Sequence, residues 1–301
     1  MTDSLIVSVI AADKNARVTD LVRRIARDFG RSGTVGEPVW LSPGRVCEIP
    51  VAIASPELAE IMPRGFVRAG DGVDVNVISA ANRRKKLLVA DMDSTIINCE
   101  CLDELADMAH LKPQIAAITE RAMRGEIEFE PALRERVAML KGLALEALER
   151  TWQDRVRLNP GAKALVATMK KHGARTCLVS GGFTFFTERV AKEAGFEDQQ
   201  ANVLLDDGTR LTGEVKEPVL GREAKHAALK REIDKLGISA GDALAVGDGA
   251  NDLAMIQHAG LGVAYHAKPI VAQAAGASVE HNDLRALLYL QGYRDDEIVE
   301  G

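Results

Sequence analysis

Four short runs of the chain are apolar at nearly every position: LLVA at 87–90, TCLVS at 176–180, ALAV at 243–246 and LGVA at 261–264. Helix-length amphipathic segments lie between them. Strands that hide both faces and alternate with helices predict a parallel sheet covered on each side, a doubly wound α/β fold. In such sheets ligands collect beyond the carboxyl ends of the strands. Those ends carry the unusual residues: Asp91 and Asp93 after the first run, SGG from Ser180 after the second, and GDGAND at 247–252 after the third.

Residues 1–80 follow a different pattern. SLIVSVIA reads as a strand, RVTDLVRRIARDFG has helical spacing with Gly30 as a stop, and RVCEIPVAI is strand-like. SPELAEIM begins with Ser55 in the place of a helix cap, and GVDVNVIS returns to strand. The order predicts a separate α+β unit that resembles the ACT-like fold in topology. No ligand motif accompanies it, so amino-acid sensing, packing and homodimer formation are all open roles. The unusual strand-end residues all fall in the second predicted unit, 81–301. Within it, about 99–158 form a helical insertion: CLDELADMA, KPQIAAITERAMRG stopped by Gly125, and EPALRERVAMLKG with Pro131 in its first turn and Gly142 as its stop. An insertion this long predicts a cap over the site.

Composition narrows the function classes. A net charge of −6 disfavours nonspecific nucleic-acid binding, which needs cationic groups to displace counterions from phosphates. The one compact basic run, NRRKK at 82–86, is expected to be a solvated lead-in to a strand. Four cysteines, 47, 99, 101 and 177, show neither a paired CxxC pattern nor a disulfide framework and suit a reducing, cytoplasmic compartment. No run of about eighteen apolar residues predicts a membrane span.

The pair of aspartates in DMDST is the central signal. An EF-hand loop counted from Asp91 needs glycine at its sixth position and glutamate at its twelfth, where Ile96 and Leu102 stand. A solvated turn would explain one aspartate but not two with Thr95 beside them. Covalent attack by a carboxylate on a phosphate ester remains, and it faces repulsion of about 4 kcal/mol per charge pair at about 4 Å. Cations must cancel that cost: a hard divalent ion on aspartate oxygens, with a lysine in support. Ser180 does not sit in a serine-hydrolase elbow, because Leu178 occupies the glycine position of GxSxG, and the glycines of GDGAND do not form a dinucleotide fingerprint.

In order and spacing, DMDST, SGG, the lysine of GREAKHAALK and GDGAND resemble the four motifs of the haloacid dehalogenase-like phosphatases over about 85–290. The resemblance implies a set of roles. Asp91 is the nucleophile and Asp93 the acid and base; Ser180 and the Gly181 N–H bind the phosphoryl group, and Lys225 neutralises it. Mg2+ is held by Asp91, the Asp93 carbonyl and Asp248, with Asn251 and Asp252 in support. A carboxylate at 93 separates phosphatases from the dehalogenases and from the ion-pumping ATPases of the superfamily. INCECLDELA, MRGEIEFEPALRERVAMLKG and VSGGFTFF resemble the branch that acts on O-phosphoserine. That likeness implies Glu100 for the substrate ammonium, Arg136 for its carboxylate, and Met123 and Phe129 as apolar lid residues. Phe129 and Arg136 lie one heptad apart, so one helical face can present both. Hydrolysis of another small phosphomonoester, phosphoryl transfer to an alcohol, and a regulatory amino-acid-binding protein are the alternatives.

Overall fold

The structure, a computed structural model, describes residues 4–14, 16–30, 33–53, 72–123, 126–221 and 223–301. The predicted helix at SPELAEIM and the Gly125 stop lie outside the described residues. Five strands form an antiparallel sheet: β1 (Ser4–Ala11), β2 (Gly33–Val35), β3 (Val39–Ser42), β4 (Val46–Ile53) and β5 (Val73–Ser79). Their order is β2-β4-β1-β5, with β3 also paired to β4.

β1 explains why its sequence is apolar at almost every position. Its Val7, Val9 and Ala11 pack with Val18, Val22, Ile25 and Phe29 of the helix Ala16–Phe29. The alternate residues Ile6 and Ile10 point the other way and share an apolar cluster with Leu284, Leu287, Leu288 and Tyr293 near the C-terminus. A strand alternates its side chains between two faces, and here both faces are covered.

The second sheet is parallel and six-stranded, in the order β13-β12-β11-β6-β7-β8. Its members are β6 (Leu87–Ala90), β7 (Arg175–Phe183), β8 (Asp198–Asn202), β11 (Ala243–Gly247), β12 (Leu261–Tyr265) and β13 (Ala277–Val279). β9 (Leu204–Asp206) and β10 (Leu211–Val215) form a separate antiparallel hairpin. All four apolar runs are strands of the parallel sheet. β6 lies between β7 and β11, so the chain reverses its direction of build there, and the crevice opens at the end of β6. Asp91 is the next residue.

The two sheets are joined by side chains. Asn76 of β5 donates to the Ser278 carbonyl at 3.0 Å and accepts the Ser278 N–H at 2.8 Å, closing the free edge of β13. Asp74 accepts the Glu280 N–H at 2.9 Å and the Asn282 amide at 2.8 Å.

The basic run at 82–86 corrects an expectation. It is not a solvated lead-in: Arg83 pairs with Glu48 and donates to the Leu290 carbonyl at 3.1 Å, and Lys85 is buried and donates to the Gly241 carbonyl at 2.7 Å. Of its four basic residues only Arg84 and Lys86 keep substantial exposure, each in an ion pair. The run holds the two sheets together.

The insertion contains the helices Cys101–Met108, Lys112–Met123, Phe129–Met139 and Glu146–Asp154. The β9–β10 hairpin braces it from the side. Gly142 N–H donates to Leu211 O at 2.8 Å, Leu211 N–H to Leu143 O at 2.9 Å and Leu145 N–H to Thr209 O at 2.9 Å.

Candidate active site

Asp91 follows β6, and the chain then winds through one wide turn over Met92–Ile96, closed by the Ile97 N–H on the Met92 carbonyl at 3.0 Å. Inside the turn Ser94 takes φ +53°, in the left-handed region that residues with a Cβ seldom occupy. Two aspartates one residue apart are thereby given different surroundings.

Asp91 is almost fully buried. Its Oδ1 accepts the Met92 N–H at 2.7 Å and lies 2.7 Å from Lys225 Nζ. Lys225, from the helix Ala224–Leu236, also reaches Asp252 Oδ1 at 2.6 Å. The second oxygen of Asp252 accepts the Gly249 N–H at 3.0 Å, so this fully buried carboxylate is used up in holding the lysine. Gly247 permits the approach: a Cβ there would strike the Asp252 side chain.

Asp93 meets neutral donors instead. Its Oδ1 accepts the Cys101 N–H at 2.9 Å and its Oδ2 the Ser180 hydroxyl at 3.1 Å. Burial raises its pKa, and the donors of Cys101 and Ser180 oppose the rise. A carboxyl so placed can hold a proton and give it up.

Asp248 receives the Thr95 hydroxyl at 3.3 Å. The carboxylates of Asp91, Asp248 and Asp252 come within 4.8 Å of one another. Burial pushes Asp91 up, as does the charge of Asp252, against the pull of Lys225; burial and then Asp252 push Asp248 up as well. Three carboxylates around one lysine leave negative charge to spare, and Asp252 is already engaged. The residues present therefore fit a hard divalent cation between Asp91 and Asp248.

At the mouth, Glu100 accepts the Ser94 hydroxyl at 2.7 Å. Its carboxylate is raised to about 7, first by desolvation from the protein around it and then by the charge of Asp93. Arg136 is half-buried, its Nε donating to the Ala132 carbonyl at 3.2 Å and an Nη to the Thr119 hydroxyl at 3.4 Å. Desolvation lowers its pKa, while Asp103 and Glu100 raise it from a distance. Among the described residues no carboxylate pairs with it. Phe129, on the same helix, projects over the Ser180–Gly182 loop: a Cβ on Gly181 would stand 3.2 Å from its ring.

The sequence-derived residues Asp91, Asp93, Ser180, Gly181, Lys225, Asp248 and Asp252 thus meet at one place, with Glu100, Phe129 and Arg136 above them. Asn251 lies in the GDGAND turn with its side chain folded toward Gly249. Met123 ends the helix Lys112–Met123, and its side chain lies outside the described residues. The Ser94 hydroxyl, the Thr95 hydroxyl and the Cys101 N–H were not foreseen. The adjacency of Thr95 to the aspartate pair was the only signal available for them.

Comparison with known proteins agrees with this geometry. The chain matches the haloacid dehalogenase-like hydrolase family over residues 88–257. It is 48% identical over 210 residues to a phosphoserine phosphatase of Polaromonas sp., covering 68% of this chain and 89% of that protein. A HAD family hydrolase of Salmonella enterica serovar Typhi superposes with a TM-score of 0.84 at 25% identity, covering 95% of this chain and 98% of the other. A substrate-bound phosphoserine phosphatase superposes with a TM-score of 0.63 at 38% identity over 68% of this chain and 97% of its own. Motif order, the crevice at the end of β6 and these similarities converge: the chain belongs to the haloacid dehalogenase-like hydrolases.

Proposed function

We propose that this chain hydrolyses O-phospho-L-serine to L-serine and phosphate through an aspartyl-phosphate on Asp91. The observation that carries the proposal is the unequal setting of the two aspartates, one on a buried ammonium and the other on a hydroxyl and an amide. The first suits a nucleophile and the second a proton carrier. The similarity to phosphoserine phosphatases supports the choice of substrate.

Asp91 attacks phosphorus while Asp93 gives its proton to the serine oxygen that leaves. Asp93 then takes a proton from the water that cleaves the acyl phosphate. Ser180 and the Gly181 N–H bind the phosphoryl oxygens, with Lys225 adding charge. A Mg2+ ion held by the Asp91 and Asp248 carboxylates and the Asp93 carbonyl would supply the remaining charge neutralisation. Asn251, in the GDGAND turn, supports the same site. Glu100 pairs with the substrate ammonium and Arg136 with its carboxylate, beneath Phe129, which excludes water; the family likeness assigns Met123 to the same lid.

We assign residues 1–80 to a packing unit and 81–301 to the catalytic unit, with 99–158 as its cap. The shared apolar cluster of Ile6, Ile10 and Leu284–Leu288 favours packing for the first unit. Four free thiols agree with a cytoplasmic location, and no helix among the described residues is long and apolar enough to cross a membrane.

Phosphate release from O-phosphoserine tests the proposal. Turnover should be abolished by EDTA and restored by excess Mg2+, whereas turnover indifferent to chelation would contradict it.

A further inference from the structure

β7 and β8 run in step until Val179 faces Gln200, and the next pairing is Phe183 with Asn202. Residues 180–182 of the phosphate-binding loop therefore stand against a single residue of β8. A bulge of this kind strips peptide groups of their ladder partners, and buried peptide groups need replacements.

The side chain of Asn202, 2% exposed, fills the gap. Its Nδ2 donates to the Gly181 carbonyl at 2.9 Å and to the Leu220 carbonyl at 3.4 Å, and its Oδ1 accepts the Leu220 N–H at 2.7 Å. Fixing the Gly181 carbonyl also fixes the rest of that planar peptide, because its C=O and N–H point in opposite directions. The Gly182 N–H accordingly donates to Ser180 Oγ at 2.9 Å. With that lone pair occupied, the hydroxyl donates onward to Asp93 Oδ2 at 3.1 Å. Amide, peptide, hydroxyl and carboxylate form one chain in which each donor is polarised by the one before it.

Glycine at 182 gives the chain room to close, since a Cβ there would stand a tight 3.0 Å from Asp93 Oδ2 and 3.1 Å from Ser180 Oγ. The same amide grips Leu220, a few residues before the helix that carries Lys225. Two phosphoryl-binding elements thus share one buried side chain.

We infer that Asn202 is a positioning residue for phosphoryl transfer: through the Gly181–Gly182 peptide it sets the direction of the Ser180 hydroxyl between Asp93 and the phosphoryl group. Asn202 itself touches no substrate, and its role rests on the proposed function of Ser180.

A double-mutant cycle on the full chain separates this role from simple support of the bulge. Asn202→Ala, Ser180→Ala and the double variant are assayed with O-phosphoserine. If Asn202 acts through the hydroxyl, Asn202→Ala lowers kcat about 10- to 100-fold in the parent with KM changed less than about threefold. In the Ser180→Ala background the same change then costs less than about threefold. Equal losses in both backgrounds overturn the inference. Should Asn202→Ala fail to fold by circular dichroism, Asn202→Asp takes its place in the cycle with the same two outcomes. It keeps the acceptor for Leu220 and removes the donor to Gly181. Absence of phosphomonoester turnover by the parent chain would sink the proposed function; turnover with multiplicative losses sinks only the role of Asn202.

Discussion

The floor and the mouth of the site treat charge in opposite ways. On the floor, Lys225 lies within 2.7 Å of both Asp91 and Asp252, all three nearly free of solvent. At the mouth, Glu100 leans on a serine hydroxyl and Arg136 on a carbonyl and a threonine hydroxyl, and neither has an ion-pair partner among the described residues. Lys225 pairs with two of the floor carboxylates in a rigid frame, and the charge left over on Asp91 and Asp248 suits a divalent cation. Mouth charges left without counterions are free for a ligand that brings its own ammonium and carboxylate. On the proposed function, the floor performs the chemistry and the mouth selects the substrate.

Breaking the floor should have the largest effect. Lys225→Ala leaves Asp91 and Asp252 facing each other in a buried site, and removing one partner of a buried pair costs about 3 to 5 kcal/mol. Thermal unfolding should register that loss, and turnover of every phosphomonoester should fall together. A variant of parental stability, or one that loses turnover of O-phosphoserine alone and keeps that of other phosphomonoesters, would contradict this reading of the floor.

Breaking the mouth should be selective. Arg136→Ala should lose about 2 to 5 kcal/mol of transition-state stabilisation with O-phosphoserine, read from kcat/KM, because the substrate carboxylate is left unpaired. Phosphoethanolamine, which has no carboxylate, should change little. Equal losses on both substrates would remove the amino-acid assignment and leave the phosphatase one.

The smallest effect is a pH limb. Glu100, raised to about 7, loses its charge as pH falls through that value, so its attraction for an ammonium is present above and lost below. For O-phosphoserine, kcat/KM should then drop by up to about tenfold per pH unit on the acid side. A phosphate ester without an amine, such as phosphoglycolate, should lack that limb, as should Glu100→Gln with either substrate.

How much of this could be read from the sequence depends on where each residue's partner lies. The runs at 87–90 and 243–246 had to be interior parallel strands because both their faces are apolar, and the aspartates that follow them were therefore placed at the crevice. β8, whose sequence is DQQAN, gives no such pattern: it is a strand because β7 pairs with it, a fact distant in sequence. β13 is three residues long and owes its sealed edge to Asn76, some 200 positions away. Arg83 and Lys85 read as solvated because nothing nearby in sequence predicts Glu48 or the Gly241 carbonyl as partners. The role of Ser94 is not legible in the sequence, because its reach to Glu100 depends on a left-handed backbone that the motif letters do not encode. In the hairpin at 204–215, the Asp207–Gly208 turn was a usable signal. Asp207 accepts the Thr209 and Arg210 N–H groups at 2.9 and 2.8 Å.

The most direct test of covalent catalysis is rapid acid quenching of turnover with O-phosphoserine labelled in its phosphoryl group, followed by peptide mapping. A hydroxylamine-labile phosphoryl group on the peptide containing Asp91, formed as fast as serine is released and absent from Asp91→Asn, is the predicted result. Parental turnover by Asp91→Asn, or serine release with no labelled Asp91 peptide at any quench time, would contradict it.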